Sequence, residues 1–137
     1  MEIGFQDYLI SDDKSLLDVD TVCQFLSRSY WASARSRETI ELSIGNSMCV
    51  GVYHRGRQVG FARVVTDYST MYWLCDVYID EGHRGKGLGK KLTEFITDSP
   101  QLKCLMGILG TRNAHGLYEK SGFVRDTGAL MRRMPRA

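Results

Sequence analysis

Asp76-Val77-Tyr78-Ile79 reads as the end of an apolar strand. Gly82-His83-Arg84-Gly85-Lys86-Gly87 is a basic, glycine-spaced turn, and Leu88-Gly89-Lys90-Lys91-Leu92 opens an amphipathic helix. That order constrains the fold more than any other stretch of the chain, because it dictates a strand running straight into a helix through a turn that only glycines allow. Glycine tolerates the positive φ values that curl a backbone with its N–H groups inward. The helix behind contributes four N–H groups without intrahelical partners and a partial positive charge. With Arg84, Lys86, Lys90 and Lys91 around the same point, the segment is suited to holding a phosphate or pyrophosphate. The plainer alternative is a glycine-rich loop with a solvated basic face.

The spacing excludes two familiar phosphate motifs. Gly85-x-Gly87-x-Gly89 is one residue short of the dinucleotide pattern, and no acidic residue stands about 20 positions on at the end of a second strand to hold a ribose. Gly82 and Gly87 have the gap of the nucleoside-triphosphate loop, but Leu88 stands where that loop requires lysine, and no Ser or Thr follows.

Periodicity gives the elements around this turn. Phe5 to Ile10 reads as a short strand. From Asp18, the spacing of Val19, Val22, Cys23, Leu26 and Tyr30 is helical, with Asp18 or Asp20 as N-cap. Trp31 to Arg37 breaks the pattern as a loop, and Ser36 with Glu38 and Thr39 opens a second helix stopped near Gly45-Asn46. The period then changes to two. Strands are expected at Met48–His54, Gln58–Thr66 and Met71–Ile79, joined by turns at Arg55-Gly56-Arg57 and Asp67–Thr70. The helix after the glycine turn carries Leu88, Leu92, Phe95 and Ile96 and ends before Pro100. Lys103–Gly110 is a fifth strand and Ala114–Ser121 a short helix closed by Gly122. Phe123-Val124-Arg125 and Ala129–Arg133 are placed to pair as a final hairpin. The order is β-α-α-β-β-β-α-β-α-β-β in one domain, residues 1–137, without repeats or linkers.

A second motif lies in Thr111-Arg112-Asn113-Ala114-His115-Gly116-Leu117-Tyr118-Glu119-Lys120-Ser121-Gly122-Phe123. Ala114, Leu117 and Tyr118 share one helix face, which on its own is compatible with simple core packing. From Ala114 onward the stretch resembles the segment Asn-x-x-Ala-x-x-Leu-Tyr-Glu-Lys-x-Gly-Phe of the GNAT N-acetyltransferase superfamily. The glycine turn is similar to that family's acetyl-CoA loop, Gln or Arg-x-x-Gly-x-Gly or Ala, with Arg84, Gly87 and Gly89 at its fixed positions. The two motifs and the element order cover essentially the whole chain. The resemblance implies an α/β (α+β) fold, a mixed and mostly antiparallel sheet flanked by helices on both sides.

The resemblance also implies a chemistry: acetyl transfer from acetyl-CoA to a primary amine of a small molecule or peptide by direct attack in a ternary complex, with no metal. The backbone of Val77, Tyr78 and Ile79 would pair with the pantetheine arm as a ligand adds to a sheet edge. Arg84, Gly85, Lys86, Gly87, Leu88, Gly89 and Lys90 would take the pyrophosphate. A strand N–H near Val77 could bond the thioester oxygen. In many relatives an asparagine holding the pantetheine arm stands seven residues before the tyrosine. Here that place belongs to Thr111 and Asn113 lies five before, so both are candidates. Tyr118 matches the family's acid, which protonates the departing thiolate. Lys103–Gly110 lacks the carboxylate that many relatives use as base, leaving Asp76 as the candidate, with a structural role equally open. The acceptor pocket would draw on the first two helices and the loop between them, hence Tyr30, Trp31, Arg35 and Arg37, with Tyr72 and Trp73 below. A non-catalytic acyl-CoA-binding or sensing module with the same fold is the competing reading.

Composition narrows the remaining classes. Eighteen basic and sixteen acidic residues give +2, and aromatic residues are not interleaved with the basic ones, which argues against a nucleic-acid partner. Cys23, Cys49, Cys75 and Cys104 lack metal-ligand spacing and read as reduced thiols, pointing to the cytoplasm. The first residues carry no signal-peptide pattern and no apolar run reaches the ~20 residues of a membrane helix. A homodimer is compatible with the sequence, which carries no signal for copy number.

Overall fold

The structure, a computed structural model, describes residues 1–136. Six strands form one sheet in chain order: β1 Glu2–Phe5, β2 Tyr8–Ser11, β3 Met48–His54, β4 Arg57–Thr66, β5 Met71–Ile79 and β6 Met106–Leu109. Neighbours are antiparallel except β5 and β6, which run parallel. Helices α1 Val19–Ser27 and α2 Arg37–Gly45 precede β3, α3 Leu88–Thr97 joins β5 to β6, and α4 His115–Glu119 follows β6. The expected mixed, mostly antiparallel sheet flanked by helices is the architecture found.

The sheet is covered on both faces, which is why β3 and most of β4 are buried along their length. On one face, Val22, Phe25 and Leu26 of α1 and Ile40 of α2 pack against Cys49, Phe61 and Tyr78. On the other, Leu88, Leu92, Phe95 and Ile96 of α3 meet Val50, Val52, Val64, Tyr72 and Leu74. The helix starts follow their caps. Asp18 accepts a hydrogen bond from the Thr21 N–H and Ser36 from the Thr39 N–H.

Four expectations are corrected. The strand at Phe5–Ile10 is the hairpin β1–β2, which reverses at Gln6-Asp7 with Gln6 at φ 53°; neither glycine nor proline marks the turn. The first helix stops at Ser27 rather than reaching Tyr30, because the Ser29 hydroxyl donates back to the Leu26 carbonyl at 2.7 Å and accepts from the Ala32 N–H at 3.1 Å. The strand after α3 is only Met106–Leu109, the preceding residues forming turns around buried Leu102. The final hairpin does not form. Residues 123–136 hold no strand, and Val124, Leu130, Met131 and Met134 are exposed. A hairpin needs a face to bury, and β6 beside it is only four residues long.

One irregularity shapes the site. Arg63 opposes Cys75 and Phe61 opposes Tyr78, so Ala62 faces the two residues Asp76 and Val77. This bulge puts Asp76 at φ 52° and shifts the side-chain phase of β5. Tyr72 and Leu74 before it, and Val77 and Ile79 after it, all pack towards α3, whereas Tyr78 turns towards α1. Pairing between β5 and β6 also ends at Leu74 and Leu109. β6 itself ends there, so the edge of β5 from Cys75 to Ile79 has no strand beside it among the described residues. No helix among those residues is long and apolar enough to cross a membrane.

Candidate active site

Where β6 ends, a cleft of about 1470 Å³ opens, its walls β5, the glycine turn, the start of α3, the segment after β6 and one face of α4. At one end the turn has the shape its glycines imply. Gly85 and Gly87 lie at φ 78° and 83°, a region L side chains rarely enter. Gly87 caps α3 without a side-chain bond. Among the described residues, no N–H from Gly85 to Lys90 donates to a backbone carbonyl. Those groups, with the helix behind them, form a concentrated set of donors for an anion. Arg84 bonds back to the Ile79 carbonyl at 2.8 Å and lies over the Tyr78 ring at 5.1 Å, fixing the strand-to-turn corner. His83 shares a 2.8 Å hydrogen bond with the Tyr8 hydroxyl, which ties the turn to the first hairpin. Of the seven residues expected to take the pyrophosphate, Arg84 to Lys90, Lys86 alone is outside the cleft lining.

Tyr118 lines the cleft, 9% exposed, with its ring edge-on to Phe123. Its hydroxyl has no protein partner among the described residues, and burial pushes its pKa up to about 12. It therefore stays protonated throughout the physiological range. Thr111 and Asn113 both line the cleft, but Thr111 is occupied: its hydroxyl accepts the Ala114 N–H at 3.0 Å at the start of α4. The Asn113 amide makes no hydrogen bond within the described chain, so it is the freer of the two.

Asp76 sits at the far end. Its side chain is 1% exposed and receives Arg63 Nε at 2.7 Å, Arg35 Nη1 at 2.8 Å and Trp31 Nε1 at 2.8 Å. Burial alone would raise its pKa, but the two guanidinium groups and the indole outweigh it and hold the carboxyl below its ordinary value. The network fixes Trp31 on the rim, with Tyr30 edge-on to it at 5.0 Å. The Arg112 guanidinium lies over the Tyr30 ring at 4.0 Å, and the Arg112 backbone N–H donates to the Tyr30 hydroxyl at 3.1 Å. Thus Tyr30, Trp31 and Arg35 do come together at the cleft, on the same side as Asp76.

Two acceptor-side expectations fail. Tyr72 is buried on the α3 face of the sheet, its ring packed where a Gly107 Cβ would lie only 2.4 Å away. Trp73, opposite Val65, faces the cleft instead. Arg37 pairs with Asp20 and Glu41 away from the cleft. Sequence reasoning missed Arg63 and Arg112. Arg63 had a signal, being a charge inside an otherwise apolar strand; Arg112 had none beyond its neighbourhood to the second motif. Cys75 lines the cleft with its pKa raised to about 11 by burial, so its thiol is inert as a nucleophile. No three His, Cys, Asp or Glu side chains among the described residues are grouped to hold a metal.

Residues 45–125 match the sequence profile of the acetyltransferase (GNAT) domain, a span that takes in the bulged strand, the glycine turn and Tyr118. The chain belongs to the GNAT acetyltransferase family. Within it, a Xanthomonas campestris pv. campestris protein described as a GNAT member has a crystal structure that superposes with a TM-score of 0.90, at 37% identity over 96% of each chain. A Gibberella zeae protein bearing an acetyltransferase designation is 29% identical over 88% of this chain and 80% of its own. The spermine/spermidine N(1)-acetyltransferase of Bacillus subtilis is 33% identical over 54% of this chain and 57% of its own. Family membership supports acyl transfer as the general chemistry of the chain.

Proposed function

We propose that this GNAT domain uses acetyl-CoA to acetylate a primary amine by direct attack. The observation that carries the reading is continuity: an open strand edge leads from a donor-rich glycine turn past the solvent-reached hydroxyl of the largely buried Tyr118, unpartnered among the described residues. The turn and the N-terminus of α3 would hold the pyrophosphate. The Cys75–Ile79 edge would pair with the pantetheine amides, and Asn113 would add a side-chain bond from the opposite wall. Acetyl-CoA supplies the activated acyl group.

In the reaction a C–N bond forms as the C–S bond breaks; the amine loses a proton and the thiolate gains one. Tyr118 is the proton donor in this reading, since its high pKa keeps the phenol protonated until a thiolate appears. Asp76 is assigned to positioning rather than to proton abstraction. Three donors already occupy its oxygens, and a carboxylate held below its usual pKa is a weak base. The amine would then deprotonate to water. The expected result is thiol release from acetyl-CoA that depends on an added amine, with a rate that climbs with pH as the amine loses its proton. Tight acetyl-CoA binding without thiol release for any amine would favour the sensing module; absence of acetyl-CoA binding would dismiss both.

A further inference from the structure

The acceptor end of the cleft is cationic and carries no carboxylate free to meet a second cation. Among the described residues, eight lysine and arginine side chains line the cleft against a single carboxylate, Asp76. Some of that charge has partners or an assigned ligand. Arg28 is paired with Asp80 and Glu81, and Arg84 and Lys90 flank the pyrophosphate turn. Around Asp76 the balance is different. Arg35 and Arg63 share that one carboxylate, leaving one positive charge in excess, and Arg112 has no ion-pair partner among the described residues.

Arg112 is also held in place. Its guanidinium stacks on Tyr30, Tyr30 meets Trp31 edge-on, and the Trp31 indole is bonded to Asp76. These contacts chain Arg112 to the Arg35–Asp76–Arg63 cluster along one rim. The two rim aromatics remain 47% and 40% exposed, although large aromatic side chains favour burial. Below them Trp73 and Val65, a cross-strand pair, form an apolar floor. A preorganised guanidinium with free N–H groups is suited to a carboxylate or phosphate, and it opposes a second cation.

We infer that the acceptor is a small amine that also carries an anionic group, with Arg112 and the unshared face of Arg35 holding that group while Tyr30, Trp31 and Trp73 cover its body. The inference rests on the acetyltransferase reading and deepens it. It sets this chain apart from acceptors bearing several amines, which would meet two excess positive charges and no available carboxylate.

Matched pairs of acceptors test it. The purified protein with saturating acetyl-CoA is assayed for thiol release with tyrosine against tyramine, phosphoethanolamine against ethanolamine, glucosamine 6-phosphate against glucosamine, and spermidine. The expected result is a kcat/KM at least about tenfold higher for the member of a pair that bears the carboxylate or phosphate than for the partner that lacks it, and lowest for spermidine. The amino acid and phosphorylated arms show which anion is read. In Arg112→Gln the KM for the preferred acceptor rises and the preference within the pair falls towards one, while the acetyl-CoA Kd from calorimetry holds; Arg112→Lys retains part of the preference. Preference for spermidine or for the partners lacking the anion overturns the inference and leaves the acetyltransferase reading standing. So does an Arg112→Gln effect confined to acetyl-CoA affinity, which would assign that charge to the cofactor. Acetyl-CoA binding with no turnover across the panel overturns the enzymatic reading and the inference with it.

Discussion

At the residue scale, Asp76 and Tyr118 are opposites made by their surroundings. Asp76 is a charged group kept charged by two arginines; Tyr118 is a neutral group kept neutral by burial. For Tyr118→Phe we expect kcat to fall about 10²-fold with the acetyl-CoA Kd unchanged, the usual size of a lost general acid. An unchanged kcat removes the phenol from the acid role. Because its pKa is raised to about 12, ionisation of Tyr118 should not depress the wild-type rate below pH 10. Asp76→Asn should act on stability. Removing one partner of a fully buried ion pair costs about 3–5 kcal/mol, and less is expected here because the Arg35 and Arg63 side chains remain 24% and 14% exposed. The pH dependence has a definite sign. The folded pKa lies below the ordinary ~3.9, so the stabilisation is complete above that value and is lost as pH falls through the folded pKa. Chemical denaturation of Asp76→Asn should therefore show a lower midpoint at pH 7 and a shallower acid-side decline than wild type. Equal midpoints at pH 7 would show that the carboxylate contributes no net stability.

At the element scale, the strand–turn–helix at 76–92 was legible because its geometry is local: glycine spacing and helix phase decide it within a few residues. Strands β3 and β5 match their expected spans residue for residue for the same reason, period two bounded by clear turns. What was illegible depends on partners. The β1–β2 reversal uses Gln6 and Asp7, which carry no strong turn signature. The C-terminal alternation looked like a hairpin, yet strand formation there needs a neighbour that short β6 does not provide. Gly87 tests the local part. A valine at φ 83° is strained by roughly 1–2 kcal/mol, although its Cβ meets only the Phe5 ring at an ordinary 3.7 Å. Gly87→Val should therefore fold, with an unchanged circular dichroism spectrum, but bind acetyl-CoA more than about tenfold more weakly as the inward N–H groups turn away. Gly116→Ala is the control, since a Cβ there meets nothing within 4 Å and lies off the cleft. Equal acetyl-CoA affinity in Gly87→Val and Gly116→Ala would contradict the anion-turn reading.

At the scale of the whole molecule, the candidate site was half legible. The donor end is written in contiguous motifs, whereas the acceptor end is assembled from Trp31, Arg35, Arg63, Asp76 and Arg112, which meet only once the bulge in β5 has set the side-chain phase. Tyr72 lies before the bulge and alternates with Trp73, so only one of these two neighbours faces the cleft, and it is Trp73. Among the described residues β6 is joined to the rest of the sheet by only four register pairs, and α3 and α4 pack against each other. A ligand lying along the free edge of β5 and contacting α3 and Asn113 would tie these parts together in the folded state and have no counterpart in the unfolded chain. At a concentration of 100 Kd such a ligand adds about 2.7 kcal/mol, which for a domain of this size is a rise in Tm of roughly 5–11 °C. Acetyl-CoA should give that rise, whereas pantetheine, which lacks the pyrophosphate, should give much less at the same concentration. Gly87→Val should lose most of the acetyl-CoA increment. Equal shifts from acetyl-CoA and pantetheine would mean that the glycine turn contributes nothing to binding and that the open strand edge alone accounts for the affinity.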